Sequence, residues 1–207
     1  MRNLSWLSDE AESWPVVASE ELCAGRIVRL RRDRVQMPDG QEADREVVEH
    51  PGAVAIVALD ELGQVLMIRQ YRHPAQRQLW ELPAGLRDVP GEPLVVTAQR
   101  ELVEEAGYRA ADWRVLADFL TSPGITNERL RVFLARDLTL VPEGERRYVP
   151  DHEEAHLKVE WVPLDRVVGA FLAGALHNGV MAVGVLAAHA ARQDGFATLR
   201  GPDAPER

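Results

Sequence analysis

The sequence predicts an α/β protein, a mixed sheet sandwiched between helices and preceded by a small N-terminal β-hairpin. Three observations predict it. Ala53 to Leu59 (AVAIVAL) is a continuous apolar run, as expected of a central strand buried on both faces. Strand candidates around it are interleaved with segments of helical character, the pattern of a layered α/β fold. The last of these segments, Gly179 to Arg192, is strongly apolar and suits a helix laid across a sheet.

Taken in order, Met1 to about Ser19 reads as a weakly ordered lead-in. Glu21 to Met37 reads as extended, with Ile27, Val28, Leu30, Val35 and Met37 as its apolar positions. Pro38-Asp39-Gly40 is a tight turn, and Asp44 to Glu49 forms the second arm of the hairpin. This hairpin is poor in apolar residues and carries Arg29, Arg31, Arg32, Arg34 and Arg45. An isolated hairpin is marginal in water, so it is expected to pack on the main domain or on a second subunit. Most of its arginines read as a solvated edge that discourages sheet-to-sheet aggregation.

After the central strand, Asp60-Glu-Leu-Gly63 turns the chain and Gln64 to Gln70 returns as a strand. Trp113 to Leu120 and Leu130 to Leu138 read as strands joined by the loop Thr121 to Glu128. Val141 to Asp151 is a polar loop, Leu157 to Val162 a final strand, and Pro163-Leu-Asp165 opens a helix. The tail from Asp194 carries Gly, Pro and charge and reads as mobile. The domain plan is therefore a lead-in and hairpin over 1–50, a main domain over 51–195, and a mobile tail over 196–207.

A chain of 207 residues suits one domain of ordinary size with an appended element. A formal charge of −9 argues against a nucleic-acid backbone as main partner. A small anionic substrate is compatible with it where bound cations reverse the local field. The single cysteine, Cys23, cannot form an internal disulfide, which fits a reducing cytosol. No apolar run approaches a membrane span, and the start MRNLSWLSDEAESW is too acidic and interrupted for a signal peptide. The expectation is a cytoplasmic protein with neither nucleic acid nor membrane as partner.

The most informative stretch runs from Gly85 to Gly107. Its second half reads as a helix: Pro93 suits a first helical position, Leu94, Ala98 and Leu102 make an apolar stripe, and Gly107 can close the helix in the left-handed conformation. Glu101, Glu104 and Glu105 stand at i, i+3 and i+4, so three carboxylates share roughly one face. Grouped like charges repel and stabilise no helix by themselves. A divalent cation with hard oxygen preference turns that liability into a site.

This stretch resembles the Nudix box: a glycine, five residues, a glutamate, seven residues, then R-E-U-x-E-E-x-G-U, with U a bulky aliphatic. Glu92, seven residues, Arg100-Glu101-Leu102, then Glu104-Glu105 and Gly107 match in order. Two features depart from the pattern. Six residues separate Gly85 from Glu92, the extra one absorbed in a Pro-Gly turn, and Tyr108 replaces the final aliphatic.

The resemblance implies a sandwich of the Nudix type and metal-dependent cleavage of a diphosphate, with Mg²⁺ or Mn²⁺ as cofactor. It makes Glu101 and Glu105 direct ligands, Glu104 a ligand directly or through water, and the Ala84 carbonyl a further ligand. Arg100 and Glu92 would orient the helix and its carboxylates, with Gly85 and Gly107 as the framing glycines. Two passages resemble the ADP-ribose pyrophosphatase branch, in its actinobacterial form. Pro123 lies sixteen residues beyond Gly107 (123 − 107 = 16), and Gln70-Tyr71-Arg72 precedes Glu81-Leu-Pro-Ala-Gly85. The resemblance thus implies Tyr71, Arg72, Glu81 and Pro123 as substrate-binding residues, and the N-terminal hairpin as part of a homodimer.

A second acidic cluster, Asp151-His-Glu-Glu-Ala-His156, follows the polar loop. The resemblance places a catalytic or metal-binding glutamate on such a loop, where a mobile carboxylate avoids permanent repulsion from a metal site and reaches the attacking water on closure. Glu153 or Glu154 is thereby implied as the general base. His152 and His156 lack further ligands for tetrahedral zinc. The expected activity is hydrolysis of ADP-ribose to AMP and ribose 5-phosphate. Two alternatives stay open: another nucleoside diphosphate derivative (a nucleotide sugar, NADH or a dinucleotide) as substrate, or a non-catalytic nucleotide sensor.

Overall fold

Near the N-terminus, alternating charge and β-branched residues make a small sheet with almost no core. The structure, a computed structural model, describes residues 7–145 and 157–206. β1 (Val16–Ala24), β2 (Arg29–Gln36) and β3 (Glu42–Glu49) form an antiparallel sheet in that order. This corrects two expectations. β1 begins inside the supposed lead-in, and the stretch from Glu21 to Met37 is two strands. The chain reverses where the Gly25 N–H donates to the Val28 carbonyl at 2.8 Å. The arginines are less a bare edge than paired charges: Arg31 reaches Glu49, Arg32 Glu46 and Arg34 Asp44 across β2 and β3, and Arg31 also pairs with Asp33 along β2. The exposed cross-strand pairs fix register more than they stabilise. Asp33 alone is buried among the described residues of this unit, with the Ser19 hydroxyl donating to it at 2.7 Å. The unit also holds Gly124–Asn127, where the Asn127 side chain accepts from the His50 N–H at 2.9 Å.

The second compact unit comprises Pro51–Pro123 and the chain from Glu128 on. It has two sheets. One is ordered β7 (Ala84–Leu86), β4 (Ala53–Ala58), β9 (Arg129–Leu140), β8 (Tyr108–Leu120); the other is β10 (Lys158–Pro163), β5 (Gln64–Arg72), β6 (Arg77–Glu81). β4 runs parallel to β9 and antiparallel to β7, so the sheet is mixed. Every residue of β4 is buried, which is why its sequence does not alternate. Ala53, Ala55 and Val57 face one core, with α2 (Leu164–Leu172) and α3 (Gly179–Ala191). Val54, Ile56 and Ala58 face the other, with α1 (Leu94–Glu101). Gly184 lets α3 sit close to the sheet, since a Cβ there would come within 2.6 Å of Leu82 Cδ1.

The expectation of a mobile tail is corrected. Phe196 and Leu199 pack against the α2–α3 core, and the Val115 N–H donates to the Arg200 carbonyl at 3.0 Å. Arg131, only 3% exposed, forks onto Asp118 at 2.6 and 2.9 Å and donates to the Ala204 carbonyl at 2.7 Å. Arg200 reaches the same Asp118 at 2.9 Å, and Glu206 clasps Arg87 at 3.0 and 3.1 Å. Buried charge has to be matched, and here the tail completes the match.

Burial pushes the Asp118 carboxyl up, but hydrogen bonds and charge from Arg131 and Arg200 outweigh it and hold the group below the usual carboxylate range. A depressed native value means that the unfolded chain binds the extra proton, so this stability is present above the unfolded pKa of about 3.9. It is lost as pH falls through the lower native value. Asp118→Asn strands Arg131 and should cost about 3 kcal/mol at neutral pH. Urea unfolding over a pH series should show the gap to wild type closing only in strong acid.

Candidate active site

The box helix starts one residue later than its sequence suggests. Pro93 is the N-cap, with its carbonyl accepting from Val96 and Thr97 at 2.8 and 3.1 Å. Ala98 and Leu102 are fully buried in the α1-side core, with Leu94 packed against it. Beyond Glu101 the ladder widens into a single π-helical turn over Leu102–Ala106, closed by Gly107 at φ 73°. Such turns insert an extra residue into the helical phase and recur at functional sites. This one carries Glu104 and Glu105.

The carboxylates are aimed at the start of β7. A Cβ on Gly85 would fall on the Glu101 carboxyl group, so only glycine leaves that side chain its place. One turn on, Glu105 Oε2 accepts from the Ala84 N–H at 2.8 Å. Glu101 and Glu105 therefore both lie against the Ala84–Gly85 backbone. Arg100 bridges the remainder: Nη1 donates to Glu101 at 2.7 Å and Glu104 at 3.1 Å. Its Nη2 stands 3.6 Å from Glu92 and 3.9 Å from Asp88.

Burial pulls the Arg100 guanidinium down, but attraction from Glu101, Glu104 and Glu92 outweighs it and raises its pKa above the usual arginine value. The group stays charged and offsets the repulsion among the carboxylates. Glu92 is fixed from its other side by the Thr97 hydroxyl at 2.8 Å. Thr97 and Asp88 were not singled out from the sequence. Thr97 lies five residues past Glu92, in the first turn of α1, and that offset was the available signal.

The donor set suits a hard divalent cation: carboxylates about one turn apart beside the partly exposed backbone of β7. Among the described residues, Arg100 Nη2 is a buried polar atom without a hydrogen-bond partner, and it lies at the edge of this acidic cluster. No three acidic, His or Cys side chains among the described residues already enclose an ion. Arg100 draws Glu101 and Glu104 together, while Glu105 turns to the Ala84 amide. At Ala84 the observed contact is through its N–H, and not through the carbonyl expected to bind metal.

Of the expected substrate residues, the structure unites two. Arg72 Nε lies 3.0 and 3.1 Å from the two Glu81 oxygens and Nη2 lies 2.7 Å from one, with Glu81 only 3% exposed. Tyr71 is adjacent in sequence but on the opposite face of the pleat. It is 38% exposed and meets His73, ring edge to face, with its hydroxyl 3.4 Å from Nδ1. Pro123 is exposed in the β8–β9 loop, whose base is tied by the Thr121 hydroxyl donating to Glu128 at 2.6 Å. Glu153 and Glu154, with His152 and His156, lie outside the described residues.

Comparison with known proteins agrees with this geometry. A NUDIX domain matches residues 49–182, and a nucleoside diphosphate sugar hydrolase N-terminal domain matches residues 14–48. The ADP-ribose pyrophosphatase of Mycobacterium tuberculosis is 49% identical over 187 residues, covering 90% of this chain and 88% of that one. The ADP-ribose pyrophosphatase of Bacillus subtilis is 40% identical over 127 residues, 61% of this chain and 68% of its own. The crystal structure of an ADP compounds hydrolase superposes with a TM-score of 0.74 at 20% identity, covering 91% of this chain and 99% of that one, a likeness of fold. With a matched domain over most of its length and the box carboxylates Glu101 and Glu105 set against the backbone of β7, the chain belongs to the Nudix family.

Proposed function

We propose that this Nudix hydrolase cleaves the diphosphate of ADP-ribose to AMP and ribose 5-phosphate. The observation that carries the reading is its 49% identity, over nine-tenths of its length, to an ADP-ribose pyrophosphatase. The site supports it, since all three box glutamates are present on one helix and its continuation. A sensor that had lost catalysis would have no use for them.

Nudix hydrolases generally need a divalent metal, and for this chain the ion is Mg²⁺, with Mn²⁺ as a substitute. Glu101, Glu105 and Glu104 would hold it, with the Ala84 carbonyl. When bound, such an ion neutralises charge on non-bridging phosphate oxygens and makes water nucleophilic near neutral pH. The chain's own residues do the rest. Arg100 and Glu92 keep the box carboxylates oriented, and Gly85 keeps Glu101 against β7. Arg72, held by Glu81, presents a planar guanidinium to the nucleotide. Tyr71, on the other face of β5, and Pro123, in the β8–β9 loop, are the further nucleotide contacts of this reading, and Glu153 or Glu154 takes the proton from the attacking water.

The N-terminal sheet supports a homodimer. Trp14, Val16, Val17, Leu22, Ile27 and Val28 are exposed on it, and a second copy would cover such surface. Among the described residues no helix is long and apolar enough to cross a membrane. The chain works in the cytoplasm on a small nucleotide, without nucleic acid or membrane as partner.

A second reading, a nucleotide sugar as substrate, is favoured by the match of residues 14–48 to a nucleoside diphosphate sugar hydrolase N-terminal domain. Comparing kcat/KM across ADP-ribose, nucleotide sugars, NADH and a dinucleotide separates the two. ADP-ribose should lead; a nucleotide sugar in first place would replace it.

A further inference from the structure

On the α2–α3 side of β5 and β6, the face opposite the box helix, lies a hollow of about 330 Å³ that the proposed reaction does not use. It is lined by Arg69, Arg77, Gln78, Leu79, Trp80 and the Ala175–His177 segment. Strand register builds its floor. Lys158, Arg69 and Trp80 are direct cross-strand neighbours on β10, β5 and β6, so the three side chains share one face. Arg69 Cζ lies 5.9 Å and Lys158 Nζ 5.7 Å from the Trp80 ring centroid. The indole is itself anchored, packed against the α2–α3 core together with Leu176. The rim is fixed too: Gly174, at φ 75°, ends α2, and the Asn178 side chain caps α3 by accepting from the Met181 N–H at 2.8 Å.

The charge balance here is unusual. Arg72, three residues from Arg69, is neutralised by Glu81, and Lys158 by Glu160 at 3.0 Å. Among the described residues no carboxylate lines the hollow, and none of them makes a hydrogen bond or ion pair that neutralises Arg69 or Arg77. A protein of net charge −9 has ample acid to spare, yet this concave patch collects cations without it. Concave clusters of one sign raise the local concentration of the opposite ion. Arg69 stands on the Trp80 face of the floor, while Arg77, paired with Arg72, alternates to the other face at the end of β6 and borders the hollow from the sheet edge. A guanidinium fork matches the oxygens of a phosphate dianion in bidentate fashion. The neighbouring amide of Gln78 and imidazole of His177 offer polar contacts to hydroxyls. The volume sits at the small end of ligand pockets, which fits a sugar-phosphate-sized molecule better than a dinucleotide.

We propose that this hollow is a second anion site that takes a small phosphomonoester, separate from the box. The inference stands whatever diphosphate the box cleaves. The test is calorimetric titration of the full chain in chelator, which silences a metal-dependent site, with ribose 5-phosphate and with inorganic phosphate as probes. Ribose 5-phosphate should bind at least as tightly as inorganic phosphate, and R69A/R77A should weaken it about tenfold or more, by loss of two charge-assisted contacts. Both arginines are exposed, so the double variant should unfold at the wild-type temperature and keep wild-type turnover. Glu105→Gln should bind ribose 5-phosphate as wild type does. Absence of binding, equal affinity in R69A/R77A, or loss of binding in Glu105→Gln would each overturn the proposal.

Discussion

Glu105→Gln is expected to abolish turnover while leaving the fold intact. Glu105 points at the start of β7, held by the Ala84 N–H at 2.8 Å. The amide isostere keeps an acceptor for that N–H but removes the charge that draws a cation. Replacing groups that merely support a metal ligand typically costs about 10–100-fold, so loss of the ligand itself should exceed about 10²-fold in kcat. Stability should hold or rise, because one of several crowded carboxylates is gone. Steady-state kinetics over a metal titration, with thermal unfolding as control, reads both. Undiminished activity would sink the metal assignment.

Gly85→Ala should do comparable damage through space alone. The new methyl group would land on the Glu101 carboxyl, and β7 cannot retreat, because Gly85 pairs with Val54 in the ladder to β4. Glu101 must therefore swing away, breaking its 2.7 Å contact with Arg100. Misplacing a catalytic group by about 1 Å can cost on the order of 10²-fold, and overpacking costs about 1–3 kcal/mol. Adding Glu101→Ala to Gly85→Ala removes the collision, so stability should recover while activity stays low. Recovery of both together would show that Glu101 has no part in the chemistry.

Much of this site was legible because its spacing is rigid. Glu101, Leu102 and Glu105 sit on one helix and its π-helical continuation, where short offsets in sequence bring side chains to neighbouring faces, and the glycine that caps it has a specific steric use. β4 was legible for a similar reason, since burial on both faces leaves an uninterrupted apolar run. What escaped depends on partners far away in the chain. The tail reads as loose because its own residues are polar, yet its anchors Arg131, Asp118 and Arg87 belong to strands and a loop distant in sequence. β1 escaped because all nine of its residues are exposed, so no burial alternation marks it. β6 and β7 are short and broken by Leu82-Pro83. The π-helical turn after Glu101 is a matter of backbone ladder geometry with no residue signature. The opposed directions of Tyr71 and Arg72 followed from the pleat alone, once both were placed on one strand.

The most direct measurement is product analysis after incubating the pure protein with ADP-ribose, with and without Mg²⁺. AMP and ribose 5-phosphate, in equal amounts and only when the metal is present, are the expected result. An intact substrate, or cleavage that persists in chelator, would contradict the account of a metal-dependent site built on Glu101, Glu104 and Glu105.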